Sequence, residues 1–247
     1  MKYNYKFDNI WTSKNNIFVS ITVMRLDKYL SDLWRVSRRE FAKKRKKAEI
    51  TINDRPITKA WQAIKENDII TRDNNTIQVK KHIYIAIHKP SWYVSSDIPE
   101  ADYPSYKDLL HDCPYRELLH IAWRLDQDTT GLMLASNDGK RVHDIISPKK
   151  KLPKTYIITH QKPLTANDIQ KLENWITLDD WYLTQPAQIE TIDNITTKLT
   201  IHEGKFHQVK RMREAIDNQV LLLHRENMGS YDLKKLQIPE GKRQYIK

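Results

Sequence analysis

Apolar residues near the start of the chain recur at intervals of three and four positions, as they do along one face of a helix. They are Leu26, Tyr29, Leu30 and Leu33. The segment Ser37-Arg38-Arg39-Glu40 then has the pattern of a capping box, in which the Ser37 and Glu40 side chains each accept from the other residue's backbone N–H. A second helix is therefore predicted from Arg38 to Lys47, followed by a strand and turn over residues 49–55.

The hydrophobic pattern changes from Ile83 onward, where short runs rich in β-branched residues begin. These runs include residues 83–87, 156–159 and 197–201. Helical spacing occurs between them, over residues 166–175 and 207–216. Because helices do not separate the strands regularly, the pattern predicts an α+β domain built on an antiparallel or mixed sheet.

Positive charge is concentrated in the first third of the chain. The whole chain has 42 Lys and Arg against 31 Asp and Glu, and residues 24–81 hold eight of the eleven excess charges. Such a module favours a polyanionic partner, with nucleic acid as the first candidate. The alternative is a solvated basic face without a partner. The basic residues of the two helices and their exits are Arg25, Lys28, Arg38, Arg39, Lys43, Lys44, Arg45, Lys46 and Lys47.

Several classes of protein are excluded by what the sequence lacks. Five glycines provide neither a phosphate-binding loop nor a dinucleotide fingerprint. A zinc deaminase site near His111, Cys113 and His120 would need more cysteines than the single one present, so no metal is expected. The apolar run 17–23 is far shorter than a membrane span, and one cysteine suits a reducing compartment. A cytoplasmic protein without membrane contact is expected.

The basic module resembles the S4 RNA-binding domain. The matching segments are Met24 to Leu30, Ser37 to Arg39 and the turn pattern through Asn53 and Asp54. Many copies of that domain have a glycine near position 54 or 55, where this chain has Asp54-Arg55. The resemblance implies a domain of residues 24–81 whose basic side chains contact RNA phosphates without selecting a base. Residues 1–23 fall outside it, as an extension or as sequence upstream of a start at Met24.

Residues 82–247 resemble the RsuA branch of the pseudouridine synthases. Four motifs stand in the order found there: His88-Lys89-Pro90, the block from Arg124 to Gly139, Lys154-Thr155-Tyr156, and the run from Glu203 to Met212. The resemblance implies a catalytic domain with a mainly antiparallel mixed sheet and flanking helices. It also implies an enzyme that isomerises a uridine of 16S ribosomal RNA in an assembling small subunit. That reaction needs no cofactor, because it involves no net redox change or group transfer. A monomer is expected, because the sequence shows no heptad repeat or other dimer seam. Alternatives are a large-subunit target and a non-catalytic RNA-binding or ribosome-assembly protein.

The resemblance makes Asp126 the nucleophile. Isomerisation of uridine breaks the bond between nitrogen and the sugar, turns the base and rejoins it through carbon, and a carboxylate can serve such a glycosidic centre. Asp128 and Asp138 lie nearby, so a glycosidase-like carboxylate pair stays open on spacing alone. The plainer interpretation is that Asp126 caps a turn before Thr129-Thr130-Gly131.

Three further side chains take roles from the same resemblance. Lys210 is expected to be the ion-pair partner of Asp126, with Arg211 as the fallback, because a desolvated carboxylate needs a nearby cation. Tyr156 is expected to stack on the flipped base, and Arg124 to orient the nucleotide. The plainer alternatives are that Tyr156 is a core residue and that the basic side chains around Lys210 form a helix face that touches phosphate. Arg211 is also assigned to this phosphate contact.

Two tryptophans depart from the family pattern. Trp123 precedes Arg-Leu-Asp where glycine is usual, and Trp92 occupies the glycine position after Lys-Pro. Glycine at such positions permits a close backbone approach or a positive φ. Both substitutions place bulk beside the expected cleft, where it either adds a stacking surface or reshapes the cleft.

Overall fold

The computed structural model describes residues 23–45, 49–147 and 150–246, and the main chain alone at Ile146. The extension expected for residues 1–23 lies almost wholly outside these residues, as do Lys46 and Lys47. The chain divides into two compact units: a smaller one within Met1–Tyr29 and Arg38–Val79, and a larger one within Leu30–Ser37 and Lys80–Lys247.

Two short helices and six short strands occupy the described residues before Val79. They are β1 (Met24–Arg25), α1 (Leu26–Leu33), α2 (Arg38–Lys44), β2 (Ile50–Ile52), β3 (Arg55–Pro56), β4 (Ala63–Ile64), β5 (Ile69–Arg72) and β6 (Asn75–Gln78). Strands β3-β2-β5-β6 form an antiparallel sheet, and β1 pairs with β4. The four apolar residues that predicted α1 are all buried, which confirms that helix. Helix α2 begins directly after Ser37 as expected, but ends at Lys44, short of Lys47.

The turn between β2 and β3 works without glycine. Asn53 and Asp54 both have left-handed backbone angles, with φ of 49° and 63°, and they join paired residues Ile52 and Arg55. Positive φ at both central residues is the requirement of a tight hairpin turn, and Asn and Asp tolerate that conformation better than other side chains do. The Asn53 amide also donates to Asp68 at 3.0 Å and accepts from the Ile69 N–H at 2.8 Å.

The larger unit contains one mixed sheet with helices beside it. Its elements are β7 (Tyr84–Lys89), β8 (His120–Ile121), β9 (Thr130–Ser136), α3 (Gly139–Ile146), β10 (Lys154–His160), α4 (Ala166–Glu173), β11 (Gln188–Thr191), β12 (Thr196–Ile201), α5 (Gln208–Glu214), β13 (Val220–Met228), β14 (Tyr231–Asp232), α6 (Leu233–Leu236) and β15 (Arg243–Tyr245). The main strand order is β11-β12-β10-β13-β9-β7-β15. Among the described strands only β9 and β13 pair in parallel. The predicted α+β class with a mixed sheet is confirmed.

The parallel junction of β9 and β13 depends on Gly131. Its φ is +113°, and a Cβ at this position would overlap the backbone of Arg225, its partner across the junction. Only glycine combines this angle with so close a backbone approach. The junction places the segment immediately before β9 beside the middle of the sheet. That segment carries Asp126.

Candidate active site

Asp126 lies in a turn that leads into β9. The Thr129 N–H donates to the Asp126 carbonyl at 3.1 Å, which closes the turn. The preceding residue, Leu125, is buried in a core cluster, and its backbone exchanges two hydrogen bonds with the Ser95 hydroxyl, of 2.9 and 2.6 Å. Because Leu125 points into the core, the next side chain is directed outward. The Asp126 carboxylate therefore faces a cleft instead of capping its own turn.

Helix α5 provides the cation. Val209 and Met212 bury one face of the helix in the same core cluster as Leu125. Gln208 is also buried, and its side chain donates to Glu203 Oε1 at 2.6 Å and accepts from the Lys205 N–H at 2.9 Å. These contacts fix the beginning of the helix. Lys210 is left on the face that is turned toward Asp126.

Lys210 bridges two carboxylates. Its ammonium nitrogen lies 3.3 Å from Asp126 Oδ2, and 2.7 and 2.8 Å from the two oxygens of Asp128. Burial alone would lower the pKa of Lys210, but the hydrogen bond to Asp128 and the negative charges of both carboxylates raise this pKa above its ordinary value. Lys210 is therefore a cation throughout the neutral range.

His207 adds a second contact to Asp126 that the sequence reasoning did not single out. Its Nε2 lies 3.4 Å from Asp126 Oδ1, and its ring stacks on Phe206 at a centroid distance of 3.7 Å. His207 has a left-handed φ of 47° and immediately precedes α5. Within the run from Glu203 to Met212, only Lys210 and Arg211 were assigned roles, because a sequence cannot show the orientation of the His207 ring.

The cleft has a volume of about 80 Å³ and is open to solvent. Four side chains that the sequence assigned to the site line it together: Arg124, Asp126, Tyr156 and Lys210. Tyr156 comes from β10 and is 8% exposed, so it belongs both to the core cluster and to the cleft wall. Arg124 is exposed at the rim. Asp128 is not part of the lining, although it shares Lys210 with Asp126.

Trp123 lines the same cleft. Its indole N–H donates to the Ile145 carbonyl at 3.3 Å, and the Lys154 ammonium lies 4.2 Å from the centre of its ring. A Cβ on Gly204 would come within 2.6 Å of the same ring. Trp123 is not among the residues with positive φ, so its backbone has no need of glycine. The large side chain is accommodated because Gly204 leaves room for it.

Two buried cations, Lys89 and Arg225, donate hydrogen bonds to backbone carbonyls in and beside the turn that carries Asp126. Lys89 is 0% exposed and donates to the carbonyls of Pro90, Gln127 and Thr129 at 2.8, 3.0 and 2.8 Å. Burial lowers the pKa of Lys89 to about 8, against the opposing charges of Asp128 and Asp126. Arg225 donates to the carbonyls of Trp123, Arg124 and Leu132 at 3.2, 3.4 and 2.7 Å. Their roles were not predicted, because they arise from contacts across the sheet.

Arg211 points away from the cleft. Its guanidinium pairs with Asp179 and with Asp180, the latter at 2.6 Å. Side-chain hydrogen bonds from Asp180 and then Asp179 raise its pKa above the ordinary arginine value. Lys210, not Arg211, is the cation beside Asp126, and the phosphate contact expected of Arg211 would have to compete with two carboxylates.

The basic residues of the smaller unit are largely accessible. Of the basic side chains expected to contact RNA, those exposed to solvent include Lys28, Arg38, Arg39, Lys43 and Lys44. Arg25 is also exposed, and it pairs with Asp27 at 2.7 Å, whereas Arg45 is partly buried. Burial opposes the ionisation of Asp27, but the hydrogen bond and charge of Arg25 lower its pKa overall.

The described residues contain no cluster of three or more His, Cys, Asp or Glu side chains that could hold a metal ion. In the same part of the chain, no helix has the length and apolar character to cross a membrane.

Known proteins resemble this chain in sequence and in fold. The sequence model of the family described as RNA pseudouridylate synthase matches residues 83–215. A protein of Vibrio cholerae named ribosomal small subunit pseudouridine synthase A is 38% identical over 224 residues, covering 90% of this chain and 96% of its own length. Its namesake in Escherichia coli K12 is 36% identical, covering 85% and 91%. A crystal structure described as a pseudouridylate synthase has a TM-score of 0.63 and 33% identity, with 91% of this chain and 96% of that chain covered. The chain therefore belongs to the RNA pseudouridylate synthase family, whose members are enzymes that isomerise uridine to pseudouridine in RNA.

Proposed function

We propose that this enzyme isomerises one uridine of 16S ribosomal RNA, with Asp126 as the nucleophile. The observation that carries the proposal is the Asp126 carboxylate beside the Lys210 cation, in a cleft that Tyr156 also lines. The relatives in Vibrio cholerae and Escherichia coli, which match nearly their whole length, support the choice of the small subunit through their names.

For this reaction the protein mainly has to position the uridine and supply charge beside it. The bond between N1 and C1′ breaks, the freed uracil turns, C5 bonds to C1′, and the C5 proton is lost while N1 gains one. A carboxylate beside C1′ can stabilise or capture the sugar while the base turns. Lys210 supplies the positive charge next to that carboxylate, and no redox step or external group is needed. In this proposal the Tyr156 ring stacks on the flipped base and the exposed Arg124 contacts its phosphate.

Docking is assigned to an S4-like domain of residues 24–81. Two helices followed by short antiparallel strands, with exposed Lys28, Arg38, Arg39, Lys43 and Lys44, support this assignment. These side chains would contact phosphates and supply affinity that depends strongly on salt, without reading bases. We further propose that the enzyme acts as a cytoplasmic monomer on an assembling small subunit.

Mapping pseudouridine across both ribosomal RNAs, in cells with and without this gene, tests the proposal. We expect one small-subunit pseudouridine to disappear with the gene and to return with the wild-type protein. Loss of a large-subunit pseudouridine instead would move the target to that RNA. Unchanged maps, together with binding of the protein to ribosomal RNA, would indicate a non-catalytic binding or assembly protein.

A further inference from the structure

Trp92 has an unusual backbone conformation for a large side chain. Its φ is 67°, in the left-handed region that bulky residues rarely adopt and that glycine occupies without cost. Its position follows Lys89-Pro90-Ser91, where the family pattern has glycine. The chain therefore has a tryptophan at a position where the backbone conformation favours glycine. Such strain persists only where the surroundings enforce it, and it is most frequent at functional sites.

The contacts that hold Trp92 in this conformation are made with the turn that carries Asp126. The Trp92 N–H donates to the Gln127 carbonyl at 2.6 Å, and the Ser91 hydroxyl donates to the Asp128 carbonyl at 3.3 Å. Lys89 Nζ reaches the same Gln127 carbonyl at 3.0 Å. The backbone of Trp92 is thus fixed to the residue that directly follows Asp126.

The side chain of Trp92 is supported but not buried. Its ring stacks on Tyr103 with a centroid distance of 5.7 Å and an interplanar angle of 21°. Tyr103 is itself held by two backbone hydrogen bonds with Glu100, of 3.0 and 3.1 Å. The Trp92 residue nevertheless remains 56% exposed. A role in core packing would bury the indole, whereas this arrangement presents a braced aromatic face to solvent.

We propose that Trp92, braced by Tyr103, stacks against an unpaired nucleobase next to the target uridine. This inference rests on the proposed function, since a uridine that leaves its helix to reach Asp126 deprives its neighbours of a stacking partner. An aromatic face can replace that partner for any base, because every base has a π-face. A second exposed stack, Phe206 on His207, reaches the same turn through the contact of His207 with Asp126.

The test uses Trp92→Gly and Trp92→Phe, assayed on unmodified small-subunit ribosomal RNA transcribed in vitro. Glycine suits the left-handed backbone, so the melting temperature of Trp92→Gly should equal or exceed that of the wild type. Trp181→Gly is a matched control, because Trp181 is 88% exposed, has a φ of 62° and does not line the Asp126 cleft. Equilibrium binding is measured at about 200 mM salt, which weakens non-specific phosphate contacts.

Loss of one stacked base should raise both Kd and KM of Trp92→Gly about 5- to 100-fold, with kcat changed less than about threefold. Trp92→Phe should retain most of the affinity, and Trp181→Gly should bind as the wild type does. Wild-type affinity in Trp92→Gly, or an equal loss in Trp181→Gly, would overturn the proposal. If the wild type forms no pseudouridine, the proposed function fails, whereas the Kd values of the variants still decide whether Trp92 stacks on RNA.

Discussion

Lys210 Nζ lies 3.3 Å from Asp126 Oδ2, and the same nitrogen bonds both oxygens of Asp128 at 2.7 and 2.8 Å. One cation therefore serves two carboxylates that have different surroundings. Asp126 lines the cleft, with 29% of its side chain exposed, whereas Asp128 is 48% exposed and is not part of the lining. A glycosidase pair would place its two carboxylates on either side of one bond. The shared lysine instead favours Asp126 as a single reactive carboxylate.

Replacing Lys210 should damage the chemical step more than binding. Lys210→Met removes the positive charge beside Asp126, so we expect kcat to fall about 100- to 1000-fold, in the range lost when one charge-stabilising group is removed. Lys210→Arg keeps the charge and should recover part of the rate. Single-turnover formation of pseudouridine measures both variants. Because Asp128 does not line the cleft, Asp128→Asn should lower kcat less than tenfold. A wild-type kcat in Lys210→Met would contradict the role of Lys210 in the chemical step.

Burial of Lys89 should make stability depend on pH. Its pKa of about 8 in the folded protein lies below the ordinary lysine value, so the unfolded chain binds more protons between about pH 8 and 10.5. The free energy of unfolding should therefore rise with pH in that window, by up to about 1.4 kcal/mol per pH unit from this residue. Urea unfolding at pH 8 and 9.5 measures the slope. Lys89→Met should reduce the slope, and parallel slopes in the two proteins would contradict the assignment.

Gly131 should tolerate no side chain. Gly131→Ala places a Cβ against the Arg225 backbone at a φ of +113°, so we expect a loss of more than about 3 kcal/mol in unfolding free energy, or failure to fold. Gly139→Ala is the matched control, because nothing lies within 4 Å of its added Cβ and its φ is not in the positive range. That variant should be as stable as the wild type or slightly more so. Thermal unfolding measures the stability of both variants. Equal stability of Gly131→Ala and Gly139→Ala would mean that the β9–β13 junction can rearrange to accommodate a side chain.

Docking through phosphates should appear in the salt dependence of binding. The side chains of Arg38 and Arg39 are exposed on α2. If each contacts one phosphate, each change to alanine should reduce the slope of log Kd against log salt concentration by about 0.7 to 0.9. Lys171→Ala, an exposed change on α4, should leave the slope unaltered. Equal slopes in all four proteins would remove Arg38 and Arg39 from the RNA interface.

The sequence was sufficient wherever local pattern decides structure. The spacing of Leu26, Tyr29, Leu30 and Leu33 predicted α1 because one buried face determines the helix. The mixed α+β fold also followed from pattern and resemblance. Asp126, Tyr156, Lys210 and Arg124 were assigned from motif order, and the structure brings them into one cleft.

What the sequence could not provide depends on contacts between distant residues. Two of the three carbonyl partners of Lys89, Gln127 and Thr129, lie 38 and 40 positions away along the chain. The carbonyl partners of Arg225 lie on a neighbouring strand and the segment before it. The fit of Trp123 depends on space left by Gly204. His207, which has a left-handed backbone, lies 3.4 Å from Asp126 although the two residues are far apart in the sequence. The prediction extended α2 to Lys47, whereas the helix ends at Lys44, because the run of lysines and arginines contains no residue that terminates a helix.

Pseudouridine formation by Asp126→Ala on unmodified small-subunit ribosomal RNA tests the central claim most directly. Asp126 is partly exposed and its carboxylate supports no backbone turn, so the variant should fold and bind the RNA with a Kd within about threefold of the wild type. We predict that it forms no detectable pseudouridine under conditions where the wild type converts its site completely. Isomerisation at the wild-type rate by this variant would contradict the assignment of Asp126 as the nucleophile.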